Sequence, residues 1–210
     1  MRRYLLIPLA LLLVAALGLV GCGGGAASPT PTPAAPAKPA PPPPPVAPTV
    51  KLDHVEIGHY ESLAKDFPKG YDAKRVGFFE LGFVFNVTNP NDYPVQLGAA
   101  RAAIDFEGGP GKWFAVGAAS AYDSQWIPAK YTNQVRLDAL FTTRTLLLSL
   151  LVPGMHGSML KELGISPNDM IKKWFEGLPD FKFKTRANVE LSFSSPYGSV
   201  TSTFFGTFPK

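Results

Sequence analysis

Residues 79–95, "FELGFVFNVTNPNDYPV", decide how this chain folds. Phe79, Leu81, Phe83, Phe85 and Val87 alternate with Glu80, Gly82, Val84 and Asn86, the period of two that a half-buried strand requires. The alternation stops at Asn89-Pro90-Asn91 with no transition. Pro90 has no N–H to offer a strand ladder, and the Asn89 and Asn91 side chains are short enough to fold back onto backbone groups, so the polar knot is expected to terminate the strand. Two readings compete with this one. A binding site has no second polar cluster to lean on, and a glycan acceptor at Asn86-Val87-Thr88 depends on which cell makes the chain.

Working outward, Phe183, Thr185, Ala187, Val189, Leu191 and Phe193 alternate still more cleanly with Lys182, Lys184, Arg186, Asn188, Glu190 and Ser192. Further strands are expected at 51–60, 99–107, 112–119, 133–141 and 199–208, separated by the turn-rich "EGGPG", "IPAKYTN" and "SSPYG". About seven strands with no βα alternation imply a mainly β fold, an antiparallel β-sandwich. One interval breaks the pattern. From Thr142 to Leu178 the period becomes helical, giving a helical insertion over about 142–178, before the last two strands. "TTRTLLLSLLV" ends at Pro153-Gly154, and "SPNDMIKKWFEGL" begins with Ser166 as N-cap, Pro167 at the first helical position and Asp169 three residues after the cap. Met170, Ile171, Trp174, Phe175 and Leu178 then share a face, while "PGMHGSM" between the two helical runs is expected to be a flexible linker.

The N-terminal part is organised differently. Arg2 and Arg3 precede an apolar run from Leu5 to Val20, the n-region and h-region of a signal peptide and short for a stable membrane-spanning helix. Leu19-Val20-Gly21-Cys22 resembles the bacterial lipobox, whose cysteine receives a diacylglyceryl group before the chain is cut in front of it. Residues 1–21 are therefore read as a lipoprotein signal peptide and Cys22 as the lipidation site. That implies attachment to a membrane through an N-terminal lipid and a domain in the bacterial cell envelope, outside the cytoplasm. Gly23, rather than Asp, follows the cysteine, which resembles an outer-membrane-directed lipoprotein if the cell has an outer membrane. Eukaryotic-type glycosylation of Asn86 is foreign to such a context. Cys22 is the chain's one cysteine, so the fold has no intramolecular disulfide to rely on.

Residues 22–49 hold 11 of the 22 prolines, between Pro29 and Pro48, and lack the side chains for a core. The segment reads as a proline-rich, semi-rigid linker. At about 3.1 Å per residue, residues 23–49 reach up to roughly 80 Å. Residues 50–210 suffice for one domain with a sizeable core.

"FVFNVTNPNDYPVQL", a small-residue strand after it, the helical residues and the closing "FFGTF" together resemble the type 2 late-embryogenesis-abundant family, also called the LEA14-like or WHy domain. The likeness runs from roughly Val50 to Pro209, and the insertion is longer than the compact family pattern. The resemblance implies a sandwich of the fibronectin III or Ig-like kind, a structural rather than catalytic Asn-Pro-Asn element, and a non-enzymatic envelope lipoprotein protective in desiccation or other stress.

The chemistry-bearing residues agree with a non-enzyme that needs no cofactor. No G-x-S-x-G, phosphate-cradling glycine loop or zinc spacing is present. In "DHVEIGH", strand alternation puts His54 and Glu56 on one face and Asp53 and His59 on the other, against a metal site. Without Arg2 and Arg3 the balance is 18 Lys+Arg against 16 Asp+Glu, and no basic stripe marks a nucleic-acid surface; "KFKTR" reads as a solvated strand face. Apart from the initiator, Met155, Met159 and Met170 all fall in the helical insertion, where methionine suits an adaptable apolar groove. With Trp174 they are the candidate ligand-binding residues for a lipid, a peptide or a partner envelope protein, and ordinary core packing is the competing reading. Trp113 and Trp126 are candidates for stacking on a cell-wall glycan, again against core packing.

Overall fold

The computed structural model describes residues 43–63, 77–152 and 154–209, so the signal segment, Cys22 and the linker up to residue 42 lie outside the described residues. Among these, eight strands form two antiparallel sheets. Strand β2 (Phe78–Thr88) is the middle of the first sheet, between β1 (Thr49–Tyr60) and β6 (Thr132–Thr142). As the alternation requires, Phe79, Leu81, Phe83, Phe85 and Val87 point into the core and are buried. Gly82 on the opposite face is buried for another reason. The Arg136 guanidinium from β6 lies so close over it that an added Cβ would stand 2.8 Å from Nη2. Arg136 donates to Asp138 at 2.6 Å and also pairs with Glu56; the Asp138 hydrogen bond first, then the surrounding carboxylates, hold its pKa above the ordinary arginine value.

In the second sheet β3 (Val95–Gly109) pairs with β7 (Thr185–Ser195) on one side, while β4 (Lys112–Ala121) and β5 (Gln125–Ile127) share its other side; β8 (Gly198–Phe208) completes the sheet beyond β7. The mainly β sandwich with a helical insertion between β6 and the last two strands is what the residue pattern implies. Strand β5 is not anticipated by it. Its three residues are held by pairing with Val95–Leu97, a contact between distant segments that local periodicity does not report.

Asn89-Pro90-Asn91 carries the chain from the first sheet to the second. The Asn89 side chain is fully buried; its Nδ2 donates to the carbonyls of Tyr93 (2.8 Å), Pro128 (3.1 Å) and Ile127 (3.2 Å), and its Oδ1 accepts from the backbone and side-chain amides of Asn91 (3.0 and 2.9 Å). These bonds take up the polar side chain of the knot, which ends the strand and ties β2, β3 and the loop after β5 into one corner. Asn86 meanwhile donates to Asp53 at 2.9 Å.

The corner marks one pole of the sandwich, where β2 ends and β1, β3, β6 and β8 begin. At the opposite pole α1 (Thr143–Leu151), α2 (Gly154–Leu163), α3 (Pro167–Gly177) and a 3-10 turn (Leu178–Asp180) form a cap. Helix α1 starts on a reciprocal cap: the Thr142 hydroxyl accepts from the Thr145 amide and the Thr145 hydroxyl from the Thr142 amide. Helix α3 starts as its sequence requires, with Ser166 Oγ accepting from the Asp169 amide at 3.1 Å and Pro167 in its first turn. Its apolar face is continuous with the sandwich core: Trp174 lies edge-on to Phe106 and Phe114, with ring centroids 5.4 and 5.8 Å away, and Phe175 edge-on to Phe79 at 4.9 Å. Residues 154–159 of the expected flexible linker "PGMHGSM" are instead the first part of α2, which corrects that expectation, while Pro153 lies outside the described residues. His156 and Leu160 are buried there, and tertiary packing overrides the low helix propensity of Gly154 and Gly157.

Candidate functional site

The cap groups three exposed large aliphatic side chains, whereas Leu140 on β6 and Val46 are exposed singly. Leu148, Leu151 and Val152 are 54, 61 and 75 % exposed. Spaced by three and four residues at the end of α1, they lie side by side as one stripe. Leu151 also belongs to the wall of a cleft of about 430 Å³, formed with Leu150, Leu160, Ile165 and Pro167 where α1, α2 and the start of α3 meet, with Lys161 at its rim. An apolar stripe running into an apolar cleft beside one cation can receive an apolar group that carries a polar or anionic end.

His156 holds this arrangement together. Its ring is buried, with Nδ1 2.8 Å from the Ser149 carbonyl and Nε2 3.2 Å from the Ala115 amide, so Nδ1–H donates to α1 and Nε2 accepts from β4. One imidazole thus joins α1, α2 and the sheet. His156→Ala removes a buried ring and the side-chain partner of a part-buried amide and carbonyl, and should lower stability by about 1–3 kcal/mol. His156→Gln, which keeps an acceptor and a donor, should recover part of that loss in a urea unfolding titration. Helix α2 is further held by Lys112, paired with Glu162, and by Gly164, whose φ of 62° closes the helix.

The residues expected to bind do not gather at this cleft. Met170 and Trp174 are fully buried in the core, and Trp174 Nε1 donates to the Glu107 carbonyl at 3.0 Å. Met159 is half-buried against that core. The side chain of Met155 and residue Cys22 lie outside what the structure describes. In the same segment the large apolar side chains left most exposed are Leu148 and Leu151 of α1 and Val152 after it. Tyr60, on β1, is also part of the cap's attachment. Its hydroxyl donates to the Phe175 carbonyl at 3.1 Å, and its pKa is raised by burial first and by Glu176 second, so it stays a donor.

The glycan candidates separate. Trp113 lies opposite Glu107 and Trp126 opposite Gln96 on the outer face of the second sheet, eleven residues of β3 apart, or roughly 36 Å at strand rise. Trp126 is 53 % exposed, whereas Trp113 is covered by the Arg186 guanidinium, 4.7 Å from its ring centre, which is itself fixed by Asp105 at 2.5 Å. No sugar ring can stack on both.

The "DHVEIGH" segment departs from strict alternation. A bulge between Leu52 and His54 leaves Asp53 and His54 both exposed, with Asp53 Oδ2 2.8 Å from His54 Nδ1 and Glu56 Oε2 3.8 Å from Nε2. His59 stacks on Phe78 instead, centroids 4.6 Å apart. Among the described residues no three His, Cys, Asp or Glu side chains form a group that could hold a metal ion, and no helix is long and apolar enough to cross a membrane.

No family model matches the chain, and no curated protein matches it. Among solved structures, it is similar to a solution structure of a protein from Arabidopsis thaliana (TM-score 0.41, 12 % identity, covering 78 % of this chain and 80 % of that one). It is also similar to a crystal structure of a protein from Archaeoglobus fulgidus (TM-score 0.39, 9 % identity, 75 % and 94 % covered). A third is the solution structure of a protein described as a candidate late embryogenesis abundant protein, At2g46140.1 (TM-score 0.28, 11 % identity, 77 % and 70 % covered). These are distant likenesses of fold, and they assign the chain to no family.

Proposed function

We propose that this chain is a lipid-anchored, non-enzymatic protein of the bacterial cell envelope, of the type 2 late-embryogenesis-abundant kind, whose working surface is the apolar stripe and cleft of the helical cap. The observation that carries the cap reading is the exposure of Leu148, Leu151 and Val152 beside the cleft lined by Leu150, Leu160 and Ile165. A cap needed only to close the sandwich end would bury its large aliphatics, as α3 does. Lipidation at Cys22 and the stress setting rest on the sequence alone.

The test uses the chain produced without residues 1–21, so that Cys22 carries no lipid, titrated with the apolar anionic probe anilinonaphthalene sulfonate. The native protein should enhance the probe's fluorescence, and Leu148→Asp/Leu151→Asp should remove most of the enhancement. Because both positions are exposed, each change should alter stability by no more than about 0.5 kcal/mol. Equal enhancement by the two proteins would move the working surface off the cap. The same pair, compared in their protection of a labile enzyme during drying, separates a protective role of this surface from a generic effect of protein mass.

A further inference from the structure

The chain that leads into β1 is already gripped before the strand begins. At the corner pole, Asn91 Oδ1 accepts the Val46 amide at 2.9 Å, and Asn91 Nδ2 donates to the Val46 carbonyl at 2.8 Å. Two residues on, Ser202 Oγ from β8 donates to the Pro48 carbonyl at 2.6 Å, and Pro48 is buried. Pro45 lies over Gly198, where an added Cβ would touch the proline ring at 3.8 Å. The Val46 side chain points away and is 59 % exposed.

The hydrogen bonding is therefore to backbone alone, while the flanking Pro45 ring lies over Gly198 and Pro48 is buried. A carboxamide that takes both the N–H and the C=O of one residue imitates a rung of a β-ladder, and it does so without a strand. Asn91 is 6 % exposed, and Asn89 fixes its orientation by accepting from both its backbone and side-chain amides. The Asn-Pro-Asn element thus has a division of labour: Asn89 builds the corner, and Asn91 is presented from it.

The geometry points to a peptide-binding site occupied in cis: Asn91 and Ser202 moor the proline-rich segment Pro45–Pro48 to the corner pole by its backbone. The domain's hold on the chain thus begins at Pro45 rather than at Thr49, and a pull toward the N-terminus is met first by the Asn91 and Ser202 bonds, before the start of β1. This holds whether or not the cap binds anything.

Residue-resolved hydrogen exchange on the mature chain, Cys22–Lys210, tests the mooring. The Val46 amide should be protected in the native protein, and Asn91→Ala should speed its exchange by at least about tenfold while the β2 and β7 amides keep their protection. Ser202→Ala, which leaves the Asn-Pro-Asn turn untouched, should speed Val46 exchange by a smaller factor and decides the matter if Asn91→Ala loosens the whole corner. Val46 exchanging as fast in the native protein as in the urea-unfolded chain would overturn the proposal. So would a Val46 rate unchanged by Ser202→Ala.

Discussion

Asn89→Ala should lower the unfolding free energy by roughly 3–5 kcal/mol, the sum of several buried groups each left short of a partner at about 1–3 kcal/mol. The side chain is fully buried and serves the carbonyls of Tyr93, Ile127 and Pro128 as well as the two amides of Asn91. Alanine fills none of these roles and leaves too little room for water to take all of them. Asn89→Asp is the sharper comparison. It keeps the acceptor for Asn91 but turns a donor into a second acceptor facing three carbonyl oxygens, so it should be at least as destabilising as alanine. The measurement is the urea midpoint of each variant, with the slope unchanged. Alanine and aspartate variants both within about 1 kcal/mol of the native protein would mean that the corner is held by other contacts.

Trp174→Ala should be comparably severe, at about 3–5 kcal/mol. The indole is fully buried between Phe106 and Phe114, and its N–H satisfies the Glu107 carbonyl near the end of β3. Against a whole-domain stability of roughly 5–15 kcal/mol, such a loss leaves little margin. The spectroscopic consequence separates two pictures. If the cap is part of the core, Trp174→Ala should broaden or abolish the single unfolding transition; if the cap is an independent lid, the β-sheet signal should survive with an unchanged midpoint. Trp174→Phe, which keeps most of the aromatic contact and loses the hydrogen bond, should fall between the native protein and alanine.

What was legible in the residues is what depends on neighbours in sequence. The β2 alternation, its stop at Asn89 and the Ser166 cap of α3 are local, and each is found where the chain spells it. The failures share a different origin. Strand β5 exists because Val95–Leu97 offers it an edge, and the bulge at Asp53 is a shift in the pairing of β1 with β2, which no single segment reports. Helix α2 is glycine-poor only at its second half and stands because His156 and Leu160 are anchored. The candidate site was half legible. In "TLLLSLLV" leucine occupies nearly every side of the helix, so periodicity marks an apolar helix without saying which face the sandwich leaves open. On α3 the periodicity was clear, and for that reason Met170 and Trp174 belong to the core rather than to a ligand.

The moored corner and the helical cap lie at opposite ends of strands eleven residues long, roughly 36 Å apart at strand rise. The chain enters the domain at Pro45, beside the corner, so the cap is the part of the domain farthest from that entry point. Leu148, Leu151 and Val152 stand about one strand length from it, whereas a ligand on the corner would sit next to the incoming chain. Lengthening the strands would carry the apolar stripe farther from the point of entry without moving the corner.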